Sequence, residues 1–323
     1  PRNLSVEVNG DIFHNLHLFA NPIDKFRPSD KEIQRALKKK KGSNLIYFGP
    51  GVHNLPNDTL FVPSGTTVYI DGGARVYGNI FTEGAHDVNI FGRGEVHPDG
   101  RGAGVWVRRS KNVRIDGIVV SQLPIGQCDS VELTNVKSIS YYGWGDGMDV
   151  FSSSNVILDG VFCRNSDDCA AVYASTQGFK GGSNNVLVKN ATLWADVAHP
   201  INIGGHGDPN GMDTVQNVTF RNIDILDQAE KQIDYQGCLA INPGDNTLVR
   251  NITFENIRIE DFRNGQLVNF RISFNPKYCV STGRGIQNVL VKDVTYNGSG
   301  ENLSIIAGYD ENHKISGIRF VNL

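Results

Sequence analysis

The sequence is poor in the features that mark several common classes of protein. It has no run of 18 or more apolar residues among its 323, so it predicts no membrane-spanning segment. Its 31 Lys and Arg nearly balance its 34 Asp and Glu, so the sequence lacks the overall basic charge that is typical of nucleic-acid-binding proteins. The five cysteines show no Cys-x-x-Cys or Cys/His ligand spacing, so we expect no zinc site. Neither common glycine-rich phosphate loop occurs, and we expect no cofactor.

The beginning of the chain differs in pattern from the rest. Residues 4–19 alternate apolar and polar positions and then meet prolines, which favours a strand pair and a linker over residues 1–28. This segment is compatible with the remnant of a preceding β domain. Ser29 and Glu32 then form a capping-box pattern ahead of an apolar stripe, which predicts a short helix. Such a helix would cap the apolar end of the domain that we expect over residues 29–323.

From about residue 44 the sequence is a repeat of short β-branched segments, rich in glycine and bounded by turns. A phrase of the form Asn-Val-x-Ile-x-(Gly/Asn)-(Ile/Val) returns as KNVRIDGIVV at 111, SNVILDGVFC at 154, NNVLVKNATL at 184, QNVTFRNIDI at 216, RNITFENIRI at 250 and QNVLVKDVTY at 287. Such a period, with many strands and almost no helix, predicts an all-β solenoid, and a parallel β-helix fits it best. The recurring Asn is typical of turns, where it tolerates left-handed backbone.

Three carboxylates recur at the spacing of this repeat. Asp146 precedes the pair Asp167 and Asp168 by about one period. Equivalent residues on neighbouring coils would stand side by side, because strands in a sheet lie about 4.7–4.9 Å apart. Inverting hydrolysis of a glycosidic bond needs two carboxyls about 6.5–9.5 Å apart, and crowding of like charges can keep one of them protonated as the general acid. On a regular strand Asp167 and Asp168 would point to opposite faces, so either the strand bends or one of them is not catalytic.

With these motifs and the segment AHPINIG, the chain from about residue 44 resembles the right-handed parallel β-helix glycosidases. The resemblance is to the polygalacturonase-like enzymes of family 28 of the glycoside hydrolases, and then to their clan relatives, the dextranase and isopullulanase family. It implies a single-stranded, pectin-lyase-like β-helix that hydrolyses a polysaccharide or oligosaccharide with inversion and without a metal. It also implies a secreted or periplasmic location.

The resemblance carries over to individual residues. Polygalacturonases have Asn-Thr-Asp-Gly, where this chain has Trp-Gly-Asp-Gly with Asp146, and Gly-Asp-Asp, where it has Ser-Asp-Asp with Asp167 and Asp168. The implied roles are Asp167 as the general acid and the other two as holders of the water. The family histidine corresponds to His199, which we favour for its following Ile-Asn-Ile-Gly, or to His206 in a literal Gly-His-Gly.

Several aromatic residues lie in or near the coils that carry these acids, where a flat ring can stack on a pyranose. Trp144 is the candidate that we single out for substrate binding, and the others are Tyr141, Tyr142, Trp194 and Tyr235.

The fourth family motif, Arg-Ile-Lys, is the one that this chain lacks. By counting coils it falls at residues 237–242, which contain no cation and only the amide of Asn242. Arg271 and Lys277 lie about one coil later, and with Asn242 and His206 they complete the predicted binding residues. An ionised sugar carboxylate left unpaired in a cleft costs several kcal/mol. We therefore predict a preference for a neutral glycan over polygalacturonate.

Two other classes of function fit the same residues. A β-helix polysaccharide lyase would use an Arg or Lys base, and the Asp cluster would bind Ca²⁺. A glycan-binding or structural solenoid without catalysis would use the same acids only as turn residues. In that last case, Asp167→Asn would leave function untouched.

Overall fold

A computed structural model describes residues 3–38, 42–300 and 302–323. Within these residues there is one α-helix, α1 (Asp30–Leu37), and a 3₁₀ turn at Ile233–Tyr235. The strands of the first half are β1 (Asn3–Val8), β2 (Asp11–Phe19), β3 (Leu45–Phe48), β4 (Gly51–Phe61), β5 (Thr67–Ile70), β6 (Ala74–Glu83), β7 (His86–Gly92), β8 (Glu95–His97), β9 (Val105–Arg108), β10 (Lys111–Asp116), β11 (Val119–Val120), β12 (Ile125–Gly126), β13 (Asp129–Thr134) and β14 (Lys137–Ile139). Those of the second half are β15 (Val150–Phe151), β16 (Ser154–Asp159), β17 (Phe162–Asn165), β18 (Ala170–Tyr173), β19 (Ser183–Lys189), β20 (Thr192–Ala195), β21 (Ile201–Ile203), β22 (Thr214–Gln228), β23 (Leu239–Ile241), β24 (Leu248–Ile259), β25 (Val268–Arg271), β26 (Gly285–Tyr296), β27 (Ile305–Ala307) and β28 (Lys314–Val321).

Strands β3 to β28 form a parallel β-helix, as the repeat predicts. Each strand pairs in parallel with the equivalent strand of the next coil, so that β7, β10, β13, β16 and β19 are neighbours in that order. A second row runs through the ends of β4 and β6 and then β9, β12, β15, β18, β21, β23, β25 and β27, and we call it the site face. The predicted fold class is confirmed.

The repeated Asn-Val phrase explains the core. Its valine position is occupied on successive coils by residues that pair in register and are 0–1% exposed: Val113, Val131, Val156, Val186, Val218, Ile252 and Val289. Full burial of one such side chain contributes about 1.5–3 kcal/mol relative to leaving it exposed. The column therefore both stabilises the solenoid and fixes its register, because a slip by one residue would turn every one of these side chains outward.

The asparagine of the phrase lies at a turn and has the left-handed backbone that the sequence predicts. The φ angles of Asn217, Asn251 and Asn288 are each 56°. Their side chains form a ladder from coil to coil, in which Asn251 Nδ2 donates to Asn217 Oδ1 at 3.1 Å and Asn288 Nδ2 donates to Asn251 Oδ1 at 3.3 Å. These asparagines are thus structural.

The N-terminal segment packs on the solenoid in two places. Helix α1 follows Ser29 with the predicted capping box, in which Ser29 N–H donates to Glu32 Oε2 at 2.9 Å, and it packs against the first strand of the solenoid, β3. Strands β1 and β2 form a separate antiparallel hairpin. The Arg164 guanidinium donates to Ile12 O and Asn15 Oδ1, each at 2.8 Å, and so fixes the hairpin to the side of the solenoid.

Replacing Asn251 by Ala should lower the free energy of unfolding by about 2–5 kcal/mol, because it removes two ladder hydrogen bonds and leaves a left-handed Ala. A left-handed Ala is strained by about 1–2 kcal/mol, and each lost ladder hydrogen bond contributes about 0.5–1.5 kcal/mol. Thermal and urea unfolding, followed by circular dichroism, would measure the loss.

Asn251→Gly is the matched control, because glycine adopts the same φ without strain. It should therefore lose less stability than Asn251→Ala. Equal losses in the two variants would show that the backbone conformation is not what the asparagine provides.

Candidate active site

A cavity of about 740 Å³ opens on the site face, and we call it the site cavity. Its lining includes eight of the nine residues predicted from the sequence: Trp144, Asp146, Asp167, Asp168, His199, His206, Asn242 and Lys277. Arg271 is the predicted residue that the lining does not include. A larger cavity, about 1060 Å³, lies between the N-terminal hairpin and the solenoid and contains none of them.

The strand register brings the acids together as the repeat predicts. Gly147 N–H donates to Asp168 O at 2.8 Å, and Cys169 N–H donates to His199 O at 2.9 Å. Asp146, Asp168 and His199 therefore stand side by side on three consecutive coils. Asp167 joins them because the chain bends between β17 and β18, so that neither Asp167 nor Asp168 lies on a regular strand. Of the two alternatives left by the sequence, the bend is the one observed.

The three carboxylates offer oxygens that lie within 4.8 Å of one another. This separation is shorter than the 6.5–9.5 Å usual for an inverting pair. It still leaves room for one water between two oxygens, since two hydrogen bonds of about 2.7 Å can span it. Oxygen ligands at this spacing also suit a divalent cation. The donor set alone therefore does not separate a metal-free hydrolase from a Ca²⁺-dependent lyase.

Asp168 and His199 form a buried ion pair. His199 N–H donates to Asp168 Oδ1 at 3.0 Å and its ring Nδ1 at 2.7 Å, while Asn202 Nδ2 donates to Asp168 Oδ2 at 2.8 Å and Tyr173 donates its hydroxyl there. Burial alone would raise the pKa of Asp168, but the charge and hydrogen bond of His199, with these other donors, hold it below its ordinary value. Asp168 in turn raises the pKa of His199 against the effect of burial.

The other two carboxyls of the cluster hold protons more tightly. Burial, and then the negative charge of Asp168, raise the pKa of Asp167 to about 7. Burial, followed by the charges of Asp167 and Asp168, raises the pKa of Asp146 well above its ordinary value. The environments thus push the pKa values of neighbouring acids apart, which is how one site can hold an acid and a base together.

His199, rather than His206, contacts the carboxylate cluster. His206 follows β21 and packs edge-to-face on Tyr173, with ring centroids 5.0 Å apart, and burial lowers its pKa. His199 Nε2 is buried, and among the described residues it has no hydrogen-bond partner.

Arg271 lies one coil beyond the segment where the sequence predicts the fourth motif. Ile241 pairs with Phe270, which places Arg271 one coil after Asn242. Arg271 Nη1 forms an ion pair with Asp234 Oδ1 at 2.6 Å. Lys277 lines the site cavity, and its ammonium lies 4.7 Å from the centroid of the Tyr278 ring. Lys277 is thus the displaced cation that reaches the cavity.

The aromatic residues divide between two places. Tyr141, Tyr142, Trp144 and Tyr235 line the site cavity. Trp194 does not, which corrects the sequence expectation: it lies on β20 beside the N-terminal hairpin, and the Arg164 guanidinium stacks over it at 4.1 Å from the ring centroid. Trp144 is 67% exposed at the rim of the cavity, with a left-handed φ of 63°. Gln122 Nε2 donates to its carbonyl at 2.8 Å and so holds the loop in place.

Sequence reasoning missed several polar residues of the cavity lining, among them Asp149, Asn202, Tyr173 and Glu230. Asp149 is buried, its Oδ1 has no partner among the described residues, and burial and then the charge of Asp146 raise its pKa well above the ordinary value. Asn202 and Tyr173 contact Asp168, and Glu230 also lines the cavity. The second acid of Asp-Gly-Met-Asp and the Asn of AHPINIG were visible signals for two of them, whereas Tyr173 and Glu230 carry no motif.

The fold and this cluster define a parallel β-helix protein with an acidic cavity on one face. The family model for glycosyl hydrolases family 28 matches residues 105–323, and the chain belongs to that family. It is 26% identical over 295 residues to a polygalacturonase of Juniperus ashei, covering 81% of this chain and 54% of that protein. With an exopolygalacturonase of Cochliobolus carbonum it shares 24% identity over 246 residues, 65% of this chain and 52% of that protein. The chain spans about half the length of these curated relatives.

Solved structures show the same fold. The family 28 exopolygalacturonase of Yersinia enterocolitica matches 95% of this chain and 80% of its own, with a TM-score of 0.64 at 13% identity. The endo-xylogalacturonan hydrolase of Aspergillus tubingensis matches 90% of this chain and 87% of its own, with a TM-score of 0.59 at 16% identity.

Each of the variants Asp146→Asn, Asp167→Asn and Asp168→Asn should lower kcat on a hydrolysed glycan by at least about 100-fold. This is the low end of what general acid–base catalysis contributes. Asp99→Asn, which changes an exposed carboxylate outside the cavity, is the matched control and should retain wild-type activity. A cluster variant that folds and keeps full activity would remove its residue from the mechanism.

The dependence of kcat/KM on pH should indicate a catalytic acid that is still protonated near pH 7. If Asp167 must be protonated to act, kcat/KM falls about tenfold per pH unit as the pH rises above about 7, because the pKa of its carboxyl is about 7. Initial rates between pH 5 and 9 would measure this limb. Activity that stays flat or rises up to pH 9 would contradict the role of Asp167.

Proposed function

We propose that the protein is an inverting glycoside hydrolase that cleaves glycosidic bonds of a poly- or oligosaccharide by Asp acid–base catalysis. The observation that carries the proposal is the pairing of Asp167, whose pKa is raised to about 7, with Asp168, which His199 keeps ionised. Membership of a glycosyl hydrolase family supports the reaction class.

In the proposed mechanism Asp167 donates its proton to the leaving oxygen of the scissile bond. Asp146 and Asp168 hold the attacking water, whose oxygen bonds to the anomeric carbon as the bond from that carbon to the leaving oxygen breaks. The ionised Asp168 accepts the proton that the water loses. The donors on Asp168 fix its orientation, as a positioned base requires.

The proposed substrate is a neutral glycan. The relatives are named polygalacturonases, yet the cation nearest the family position here, Arg271, is already paired with Asp234. Six carboxyl groups line the site cavity: Asp146, Asp149, Asp167, Asp168, Glu230 and Asp234. Lys277 is the single Lys or Arg in the lining that the described residues provide. A sugar carboxylate would therefore meet a mostly acidic surface.

A polysaccharide lyase is the second candidate, because the three clustered carboxylates could bind Ca²⁺ and Lys277 could act as a base. Loss of activity with a chelator and ultraviolet absorbance from an unsaturated product would identify it.

A secreted or periplasmic location also belongs to the proposal. In the part of the chain that the structure describes, no helix is long and apolar enough to cross a membrane.

A glycan panel tests the proposed function. Reducing ends released from polygalacturonate, galactan and dextran should show a neutral polymer as the better substrate. Proton NMR of the first product should show an anomer opposite to that of the cleaved bond. Retention of configuration would overturn the assigned roles. Clear preference for polygalacturonate, abolished in Lys277→Ala or Arg271→Ala, would overturn the neutral substrate.

A further inference from the structure

Three aromatic side chains form a continuous row on the site face, on the side of the site cavity toward the N-terminus. Phe61 pairs with Phe81, and Phe81 with Trp106, in the strand register. Their ring centroids are 5.4 Å apart for the first pair and 6.5 Å for the second, and the planes of Phe81 and Trp106 differ by 8°. The rings point outward, because the neighbouring Ile80 and Val105 are buried in the core. We call these three residues the aromatic strip.

The aromatic strip is continuous with the site cavity. Val107, Ile125 and Val150 occupy equivalent positions of three consecutive coils, so Trp106 lies two coils before Asp149, or about 10 Å away. Trp106 also packs against a cluster formed by Phe151, Ala171, Tyr173 and Phe179, of which Phe151 and Tyr173 line the cavity. One extended chain could therefore run from the carboxylates along these rings.

The strip carries hydrogen-bond donors beside its rings. The Arg108 guanidinium lies 5.7 Å from the ring centroids of both Phe81 and Trp106. The Glu83 carboxylate lies 3.0 Å from the guanidinium groups of both Arg108 and Arg109. One carboxylate thus serves two guanidinium groups, each of which has five N–H donors.

We propose that the aromatic strip binds sugar units of a polysaccharide chain, several units away from the bond that is cleaved in the site cavity. Flat rings bury the C–H face of a pyranose, and guanidinium donors bind its hydroxyl or carboxylate oxygens. The inference rests on the proposed function for the identity of the ligand. It adds a remote binding site on the side of the cavity toward the N-terminus.

Stacking for stability alone does not account for the strip. The aromatic stack that serves the core, Phe220, Phe254 and Phe270, is fully buried. Phe61, by contrast, is 64% exposed and gains little from its contact with Phe81. Phe61→Ala should therefore remove a binding ring at little cost to the fold.

Affinity electrophoresis of the full chain tests the strip without relying on catalysis. In native gels, at least one of the three polymers polygalacturonate, galactan and dextran should slow the migration of the protein and of its Asp167→Asn variant. In that gel Phe61→Ala and Trp106→Ala should each weaken binding by about 5-fold, the order expected for loss of one aromatic contact. The polymer-to-trisaccharide ratio of kcat/KM should fall by a similar factor.

Phe13→Ala is the matched control, because Phe13 is 69% exposed and has the Arg263 guanidinium 5.5 Å from its ring centroid, but lies on the N-terminal hairpin. It should bind the polymer like the wild type. If the wild type has no hydrolase activity but is retarded by a polymer, and the strip variants are not retarded, the strip is upheld and the proposed function is overturned. No retardation by any polymer, or equal retardation of wild type and strip variants, would overturn the strip. A change of oligomeric state in Phe61→Ala, seen by gel filtration without loss of polymer binding, would instead make the strip a self-association surface.

Discussion

The parallel hydrogen-bond register between consecutive coils is the constraint on which the rest of the structure depends. It holds equivalent residues about 4.7–4.9 Å apart over the whole solenoid. Residues that are 22 or 31 positions apart in sequence, such as Asp146 and His199 relative to Asp168, become neighbours for that reason alone. The same register stacks the valine column inside and the asparagine ladder at the turns. The interior column resists a slip, so the positions of the surface groups are fixed as well.

This placement gives the site cavity a costly concentration of negative charge. Asp146, Asp167 and Asp168 lie close together and are largely buried, so they cannot all be ionised at their ordinary pKa values. His199 resolves the conflict at one position, because its positive charge stabilises the carboxylate of Asp168. The ionised Asp168 then favours the protonated form of Asp167 beside it. One ion pair thereby separates the chemical roles of two adjacent residues.

Much of this was predictable from the sequence, because the repeat is periodic. The Asn-Val phrase predicts both the coil stack and the turn conformation, and counting coils correctly places Arg271 one coil beyond Asn242. The capping box at Ser29 predicts α1. The capping box is a local pattern, and the Asn-Val phrase and the coil count define a register. Both kinds of feature can be predicted from the order of residue types in the sequence.

The features that sequence reasoning missed depend on where side chains point outside the regular strands. The bend that turns both Asp167 and Asp168 toward the cavity was only one of two alternatives. Whether Arg271 is free was decided by Asp234, a residue 37 positions away in the 3₁₀ turn. Trp194 faces the N-terminal hairpin because Arg164 stacks on it, a contact that no periodicity encodes.

The most direct test of the central claim is a titration of the aspartate carboxyls. Carbon-13 NMR of protein labelled at the Asp side-chain carboxyl, followed from pH 4 to 9, should contain one resonance that titrates near pH 7 and is absent from Asp167→Asn. In a variant His199→Gln, loss of the positive charge that lowers the pKa of both Asp168 and Asp167 should move that titration to higher pH. If every labelled carboxyl of the wild type titrates below pH 5, Asp167 is not a protonated acid at neutral pH and the proposed division of roles is wrong.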